Sequence, residues 1–275
     1  MAISPYASST ERVWYYTHRI FCAAVLFFLI APILVITPLS FNSEPYFSYP
    51  MPGLSLRWYE DFFTNDRWVL ALKTSIIVAA FTTMIATALG TLAALGLSRA
   101  NFPARSSFMS VLIMPMIVPI IISAVGMYFF YTDISLSNSL PGLILAHTAL
   151  ATPFVVIVVT ATLSGFDHTL SRAGASLGGT PVTVFKRVIL PLILPGVISG
   201  ALFAFVTSFD EVVVVVFLAS PEQRTLPKQM FSGIREDISP TITAAATLLI
   251  LFAITMLTTV ELLRRRSERL RGIRN

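Results

Sequence analysis

The chain has 275 residues, of which 55 % are hydrophobic and only 12 % are charged, and its mean hydropathy is +0.79. A soluble domain carries about 25 % charged residues, so this composition excludes an ordinary globular protein and predicts an integral membrane protein. The net charge of +5 does not require a nucleic-acid partner, because the positive residues follow the pattern of a membrane topology.

Apolar runs predict six membrane spans, since a spanning helix needs about 20 apolar residues. The first run is long enough to remain as an anchor, and the polar, aromatic residues before it do not form a cleavable signal peptide. The predicted fold is therefore an all-α membrane domain over residues 20–262, with short terminal segments at 1–19 and 263–275. The spans are Ile20–Leu39, Ile76–Leu97, Phe108–Tyr131, Pro141–Leu163, Val188–Leu218 and Ile242–Val260.

The distribution of Lys and Arg predicts the orientation of these spans. With the N-terminus inside the cell, most of the 19 basic residues fall in cytoplasmic segments, among them Arg172, Lys186, Arg187 and the arginine-rich tail. Both termini are then cytoplasmic, and the loop at 164–187 is cytoplasmic as well.

Two shorter features lie near the first two spans. The stretch LSLRWYEDFF places Leu56, Tyr59 and Phe63 at helical spacing, which predicts a short interfacial helix that caps the bundle. The single cysteine, Cys22, favours neither a disulfide nor a metal site and is interpreted as a small apolar filler.

The loop at 164–187 predicts two short helices. Asp167 can cap the first helix, and Gly178 or Gly179 can end it in a left-handed conformation. Thr180 and Pro181 then provide an N-cap and a first helical residue for the second helix, which runs to Leu190 and Pro191 at the membrane.

The first of these helices carries mostly small side chains, with Leu170, Ala173 and Leu177 on one face. A protruding helix of this kind is suited to dock into the groove of a partner. The alternative from the pattern alone is an ordinary connecting loop that packs against its own bundle.

The fifth apolar region is too long for one span. Its 31 residues, Val188–Leu218, would form a straight helix of about 46 Å, and Asp210 and Glu211 interrupt it. The sequence therefore predicts a break near Asp210. Two adjacent acids after Phe209 suit a cationic substrate in a translocation path; alternatively, they lie in water at the outer interface and cap a short helix.

Three more residues are weaker candidates for the path. His147, at the start of the fourth span, is more often an interhelix contact than a path residue. Tyr128 and Tyr131 belong to the aromatic run MYFFY, which is typical of an interfacial belt and could instead line a cavity. Pro115 and Pro119 predict a kink in the third span.

The stretch RAGASLGGTPVTVFKRVILPLILPG resembles the EAA loop of ATP-binding-cassette importer permeases. The stretches LILAHTALATPFVVIVV and SFDEVVVVVFLASPEQRTLP extend the resemblance to spermidine/putrescine permeases, specifically to their second, six-span subunit. The implied fold is the type I importer transmembrane domain with a cytoplasmic coupling helix. The candidate ATPase-coupling residues are Arg172, Ala173, Gly174, Leu177, Gly178, Gly179, Pro181, Phe185, Leu190 and Pro191.

The resemblance implies a transport subunit in a bacterial inner membrane, without catalytic residues or a cofactor of its own. Its partners would be a similar permease, two ATPases that bind ATP and magnesium, and a periplasmic binding protein. The sequence contains no GxxxxGK[ST] phosphate loop, which agrees with ATP being bound by another chain. Two positions depart from the family: Arg172 replaces an acid of the EAA loop, and Ile120 follows Pro119 where many polyamine permeases carry an acid.

Other functions and substrates stay open at this point. A stand-alone secondary transporter would not need a docking loop, and an intramembrane enzyme would need a nucleophile–base pair or a metal cluster. Within the importer class, an opine, an aminophosphonate or an amino-acid derivative could replace the polyamine.

Overall fold

The structure is a computed structural model that describes residues 8–98, 104–236 and 238–270. Residues 1–7 and 271–275, which belong to the two predicted terminal segments, lie outside the described residues. The described residues form helices joined by turns and loops, with one isolated bridge between Asn42 and Leu54. Its α-helices are α1 (Ser9–Leu39), α2 (Arg57–Thr64), α3 (Asp66–Leu97), α4 (Arg105–Ile117), α5 (Ile120–Asp133), α6 (Leu140–Ser164), α7 (His168–Ser176), α8 (Pro181–Val184), α9 (Leu190–Phe209), α10 (Val213–Leu218), α11 (Leu226–Glu236) and α12 (Thr241–Leu270).

Five helical stretches are long and apolar enough to cross a membrane, and the bent pair α4–α5 makes a sixth if it counts as one span. This agrees with the six predicted spans. The helices extend beyond the apolar windows because polar caps, rather than hydropathy, set their ends. Asn65 accepts a hydrogen bond from Arg67 N at 3.1 Å and starts α3 well before Ile76.

The chain divides into two compact units. The first comprises Met1–Phe63 and Glu236–Phe252. Within it, the loop after α1 is built around buried Asn42. Its backbone carbonyl oxygen accepts from Trp58 Nε1 at 2.7 Å, and its side-chain Nδ2 donates to Tyr46 O at 2.9 Å. Thr241 Oγ1 donates to Asp61 Oδ2 at 2.7 Å, which connects α12 to α2.

Helix α2 confirms the predicted short helix and shows which of its side chains are buried. Trp58 and Phe62 are buried, whereas Leu56 and Phe63 are 66 % and 58 % exposed. Leu56 lies before the helix begins, and Trp58 is held inside by its hydrogen bond to the backbone carbonyl of Asn42.

The second unit, Thr64–Arg235 with Ala253–Asn275, has α3, α6 and α9 at its centre. Small residues let these helices approach closely. A Cβ atom added at Gly90 of α3 would lie 2.6 Å from Val155 Cβ, and one added at Gly200 of α9 would lie 3.3 Å from Val155 Cα. Val155 of α6 is therefore held between two glycines, and this contact fixes the spacing of the three helices.

The substitution Gly90→Ala tests this contact. We expect it to destabilise the protein by about 1–3 kcal/mol, because the added methyl group overlaps Val155 in a packed core. Gly126→Ala is the matched control, since a Cβ atom there meets nothing within 4 Å. Thermal unfolding of the purified protein in detergent, followed by tryptophan fluorescence, measures the difference. Equal transition temperatures for the two variants would contradict the close packing.

Candidate functional site

The loop at 164–187 folds as two capped helices, as predicted. Asp167 Oδ1 accepts from Thr169 N at 2.8 Å and starts α7. Gly178 has φ +83° and ends it, because the left-handed conformation is strained for other residues. Thr180 Oγ1 accepts from Thr183 N at 3.3 Å, with Pro181 as the first residue of α8. Each cap is specified by local sequence.

The Asp167 cap is insensitive to pH in the neutral range. The hydrogen bonds from the Thr169 hydroxyl and backbone hold the pKa of this exposed carboxyl below its ordinary value, and the charges of Arg172 and His168 add to the effect. A carboxyl whose folded pKa is lowered stabilises the fold above its ordinary pKa and loses this contribution as the pH falls through the lower folded value.

The two faces of α7 have different surroundings. One face packs on α8 through glycine: a Cβ atom at Gly174 would lie 3.4 Å from Val184 Cγ2. The other face is exposed, and Leu177 is 89 % accessible. The side chains of Leu170, Arg172, Ala173 and Leu177 are all exposed, and we call the surface that they form the loop surface.

The second loop helix continues directly into the fifth span. A π-helical segment, Phe185–Ile189, joins α8 to α9, and Leu190 N donates to Phe185 O. The helix reaches Leu190 and Pro191, as predicted, and continues past them, because the wider π turn accommodates the proline, which has no N–H to donate. Pro181–Phe209 is thus one apolar helical stretch of 29 residues.

The third span contains a true break. Helices α4 and α5 meet at an angle of 99°, where Pro119 interrupts the backbone hydrogen bonds. The predicted kink is confirmed and is much sharper than a proline bend. A cleft of about 350 Å³ opens beside it, which we call the break cleft; its lining consists of Pro115, Met116, Ile117, Val118, Pro119, Ile120, Leu150, Phe154, Thr207 and Glu211.

The second break follows α9, as predicted, and the two acids at this break have different surroundings. Glu211 is buried, lines the break cleft, and accepts from Val214 N at 2.9 Å at the start of α10. Asp210 is exposed and is not part of the lining. Phe209 is half-buried and stacks on Phe205 with ring centroids 5.4 Å apart. One acid of the pair therefore both caps a helix and faces the cleft.

His147 lies elsewhere, in the core between α6 and α9. It is 1 % exposed, and its Nδ1 is 2.9 Å from Ser208 Oγ. This is the interhelix contact that the sequence favoured, and the ring is not among the residues that line the break cleft.

The two tyrosines of the aromatic run on α5 also have different surroundings. Tyr131 packs against a core cluster that includes Val214 and Leu218, whereas Tyr128 is 39 % exposed. Neither tyrosine lines the break cleft. Phe129 and Phe130 are exposed, as a belt at an interface would be.

Lys228 of α11 was missed from the sequence. Its Nζ donates to Ala219 O at 2.9 Å and to Val215 O at 3.3 Å, at the carboxyl end of α10. Burial lowers the pKa of Lys228, and the positive charge of Arg224 adds to this effect. The only sequence signal was that a short valine-rich helix needs a cation near its end.

Among the described residues, no group of three or more His, Cys, Asp or Glu side chains could hold a metal ion.

A helical membrane domain with two broken spans beside a cleft that contains a carboxylate is typical of a transport protein, because irregular backbone at membrane depth is tolerated where it lines a cavity. Residues 86–271 match the model of the family described as binding-protein-dependent transport system inner membrane component. The chain belongs to this family.

Curated relatives support the same assignment. The chain is 31 % identical over 254 residues to the spermidine/putrescine transport system permease protein PotC of Haemophilus influenzae, covering 92 % of this chain and 98 % of the relative. It is 33 % identical over 230 residues to the putrescine transport system permease protein PotI of Escherichia coli K12, covering 81 % and 82 % of the two chains.

Solved structures show the same fold. A chain of a bacterial transporter that imports the polysaccharide alginate has a TM-score of 0.71 at 14 % identity, covering 95 % of this chain and 99 % of that one. An amino acid transporter has a TM-score of 0.56 at 15 % identity, covering 76 % and 98 %. The protein is therefore a permease component of an inner-membrane importer and not an enzyme, and the stand-alone secondary transporter is set aside.

The substitution Gly178→Ala tests the loop geometry. We expect local opening of the loop to become about 5–30 times more frequent, since an alanine in the left-handed conformation costs about 1–2 kcal/mol. Limited trypsin digestion at exposed Arg172, Lys186 and Arg187 measures this opening. Gly165→Ala is the control, because φ there is −94° and the nearest atom is 4.0 Å from the added Cβ. Equal cleavage rates would contradict the observed turn.

Proposed function

We propose that the chain forms the translocation path of an ATP-driven importer for polyamines such as putrescine and spermidine. The observation that carries the proposal is the Glu211 carboxylate in the break cleft, next to a wall that includes the aromatic ring of Phe154. A carboxylate supplies the counter-charge for an ammonium group, and an aromatic face adds cation–π attraction. The names of the curated relatives agree with this substrate class.

The number of carboxylates in the cleft limits how many positive charges of a substrate it can pair. Ile120 lines the cleft where many polyamine permeases carry an acid, so Glu211 is the single carboxylate in its lining. One carboxylate pairs with one ammonium group, and a companion permease would have to supply the counter-charge for the next. A substrate with a single positive charge, such as an amino-acid derivative or an aminophosphonate, is the second candidate, and this single carboxylate favours it.

The loop surface supports a partner on the cytoplasmic side. Exposed leucines on a rigid, capped helix are typical of a surface that another protein covers. We infer that this partner is an ATPase and that Arg172 pairs with an acidic residue of its groove. The remaining partners in this proposal are a second permease, the paired ATPase and a periplasmic binding protein; one structural neighbour was crystallised with its own periplasmic protein.

The mechanism in this proposal is alternating access. In this proposal both termini and the 164–187 loop face the cytoplasm, and the distribution of positive residues supports this orientation. Closure of the ATPases moves the loop surface, and the continuous helix from Pro181 to Phe209 carries this movement to the break beside Glu211. The π turn at Phe185–Ile189 and the prolines that follow it are the points at which this helix can bend.

Glu211→Gln tests the substrate path. Glutamine keeps an oxygen that can cap α10 but removes the charge, so we expect uptake of labelled putrescine to fall at least about tenfold, as a hydrogen bond to a charged group contributes about 1.5–3 kcal/mol. Uptake is measured in proteoliposomes that contain the assembled transporter and its binding protein. Glu222→Gln, at an exposed acid outside the cleft, is the matched control.

The result that would overturn the proposed path is full uptake by Glu211→Gln in a normally assembled complex. Uptake of a different substrate class by the wild-type complex, with the same loss in Glu211→Gln, would keep the path and replace the polyamine.

A further inference from the structure

Helix α10 has low helix propensity although it forms part of the core. It has only six residues, Val213–Leu218, and four of them are valine, which propagates a helix poorly. Its buried residues Val214, Val215 and Leu218 nevertheless form part of the core cluster packed against α5 and α6. A short valine-rich segment is not a stable helix by itself. Groups outside the helix must therefore bind the free backbone groups at its two ends.

The amino end is held by the residue that faces the substrate cleft. Glu211 Oε1 accepts from Val214 N at 2.9 Å, and the same side chain lines the break cleft. Any shift of α10 therefore moves the carboxylate on which the proposed path depends.

The carboxyl end is held by groups from other elements. Leu218 O accepts from Asn138 N at 2.9 Å, and Ala219 O accepts from Lys228 Nζ at 2.9 Å. Lys228 also reaches Val215 O one turn earlier, at 3.3 Å. A cation at this end is favourable because the last carbonyl groups of a helix carry partial negative charge.

The lysine comes from a well-anchored helix. Leu226, at the start of α11, is 1 % exposed, and its N–H donates to Ser75 Oγ of α3 at 2.7 Å. Lys228 thus connects α10 to α3, the helix that is fixed by the Gly90–Val155 contact.

We infer that Lys228 is a positioning residue for transport: it holds the carboxyl end of α10, a helix about 9 Å long, so that Glu211 at the other end keeps its carboxylate at the break cleft. Its link to transport rests on the proposed function, whereas its action on α10 does not.

The test compares Lys228→Met, which removes the donor, with Lys228→Arg, which restores donors and charge. Hydrogen exchange of the Val213–Leu218 amides is measured by mass spectrometry in the assembled transporter in nanodiscs. We expect exchange at least about five times faster in Lys228→Met and near wild type in Lys228→Arg. Arg235→Met is the matched control, because Arg235 lies on the same helix and stacks over Phe231 instead of binding α10.

Uptake of labelled putrescine provides the second readout, with an expected loss of about tenfold in Lys228→Met and recovery in Lys228→Arg. Unchanged exchange in Lys228→Met would overturn the inference. So would failure of Lys228→Met to assemble, since Lys228 would then be a folding residue, and so would full uptake despite faster exchange. If the wild-type transporter takes up no putrescine, the polyamine proposal fails, and the exchange comparison alone decides whether Lys228 holds α10.

Discussion

The structure depends on the requirement that every backbone N–H and C=O group in an apolar environment be hydrogen-bonded. A continuous helix meets this requirement by itself, but this chain interrupts two apolar stretches, at Pro119 and at Asp210. Each interruption frees backbone groups that other elements must satisfy. Glu211 and Lys228 bind backbone groups at the two ends of α10, and Glu211 also lines the break cleft.

The rest of the second unit combines a rigid centre with an element that can transmit movement. The centre is the contact of Gly90 and Gly200 with Val155, where a Cβ atom at Gly90 would overlap the Val155 side chain and one at Gly200 would lie 3.3 Å from Val155 Cα. The element is the helical stretch from Pro181 to Phe209, whose first turns belong to the capped loop and whose last residue precedes the second break. In the proposed transport cycle, a displacement at the loop surface would be transmitted along α9 to Glu211, and the glycine contact would resist distortion of the bundle.

Features that depend on local sequence were predictable. The six apolar stretches follow from hydropathy. The caps at Asp167, Gly178 and Thr180 follow from side chains within three residues of the groups that they bind. The breaks follow from proline and from charged residues inside apolar runs. In each case the physical cause lies within a few residues along the chain.

Features that depend on distant contacts were not predictable. The sequence does not distinguish the two adjacent acids, whereas in the structure Glu211 is buried at the break cleft and Asp210 is exposed. The buried face of α2 is set by the bond from Trp58 to Asn42, 16 residues earlier. Lys228 binds carbonyl groups 9 and 13 residues before it, and no side-chain pattern marks backbone acceptors.

The central claim is that the cleft beside Glu211 conducts polyamines in an ATP-driven cycle. It is tested most directly by the ATPase activity of the assembled transporter in nanodiscs, with its binding protein and a panel of putrescine, spermidine, a monoamine and an aminophosphonate. The account predicts that putrescine or spermidine stimulates hydrolysis and that the other compounds do not. Stimulation by the aminophosphonate or the monoamine alone, or no stimulated hydrolysis with any compound, would contradict it.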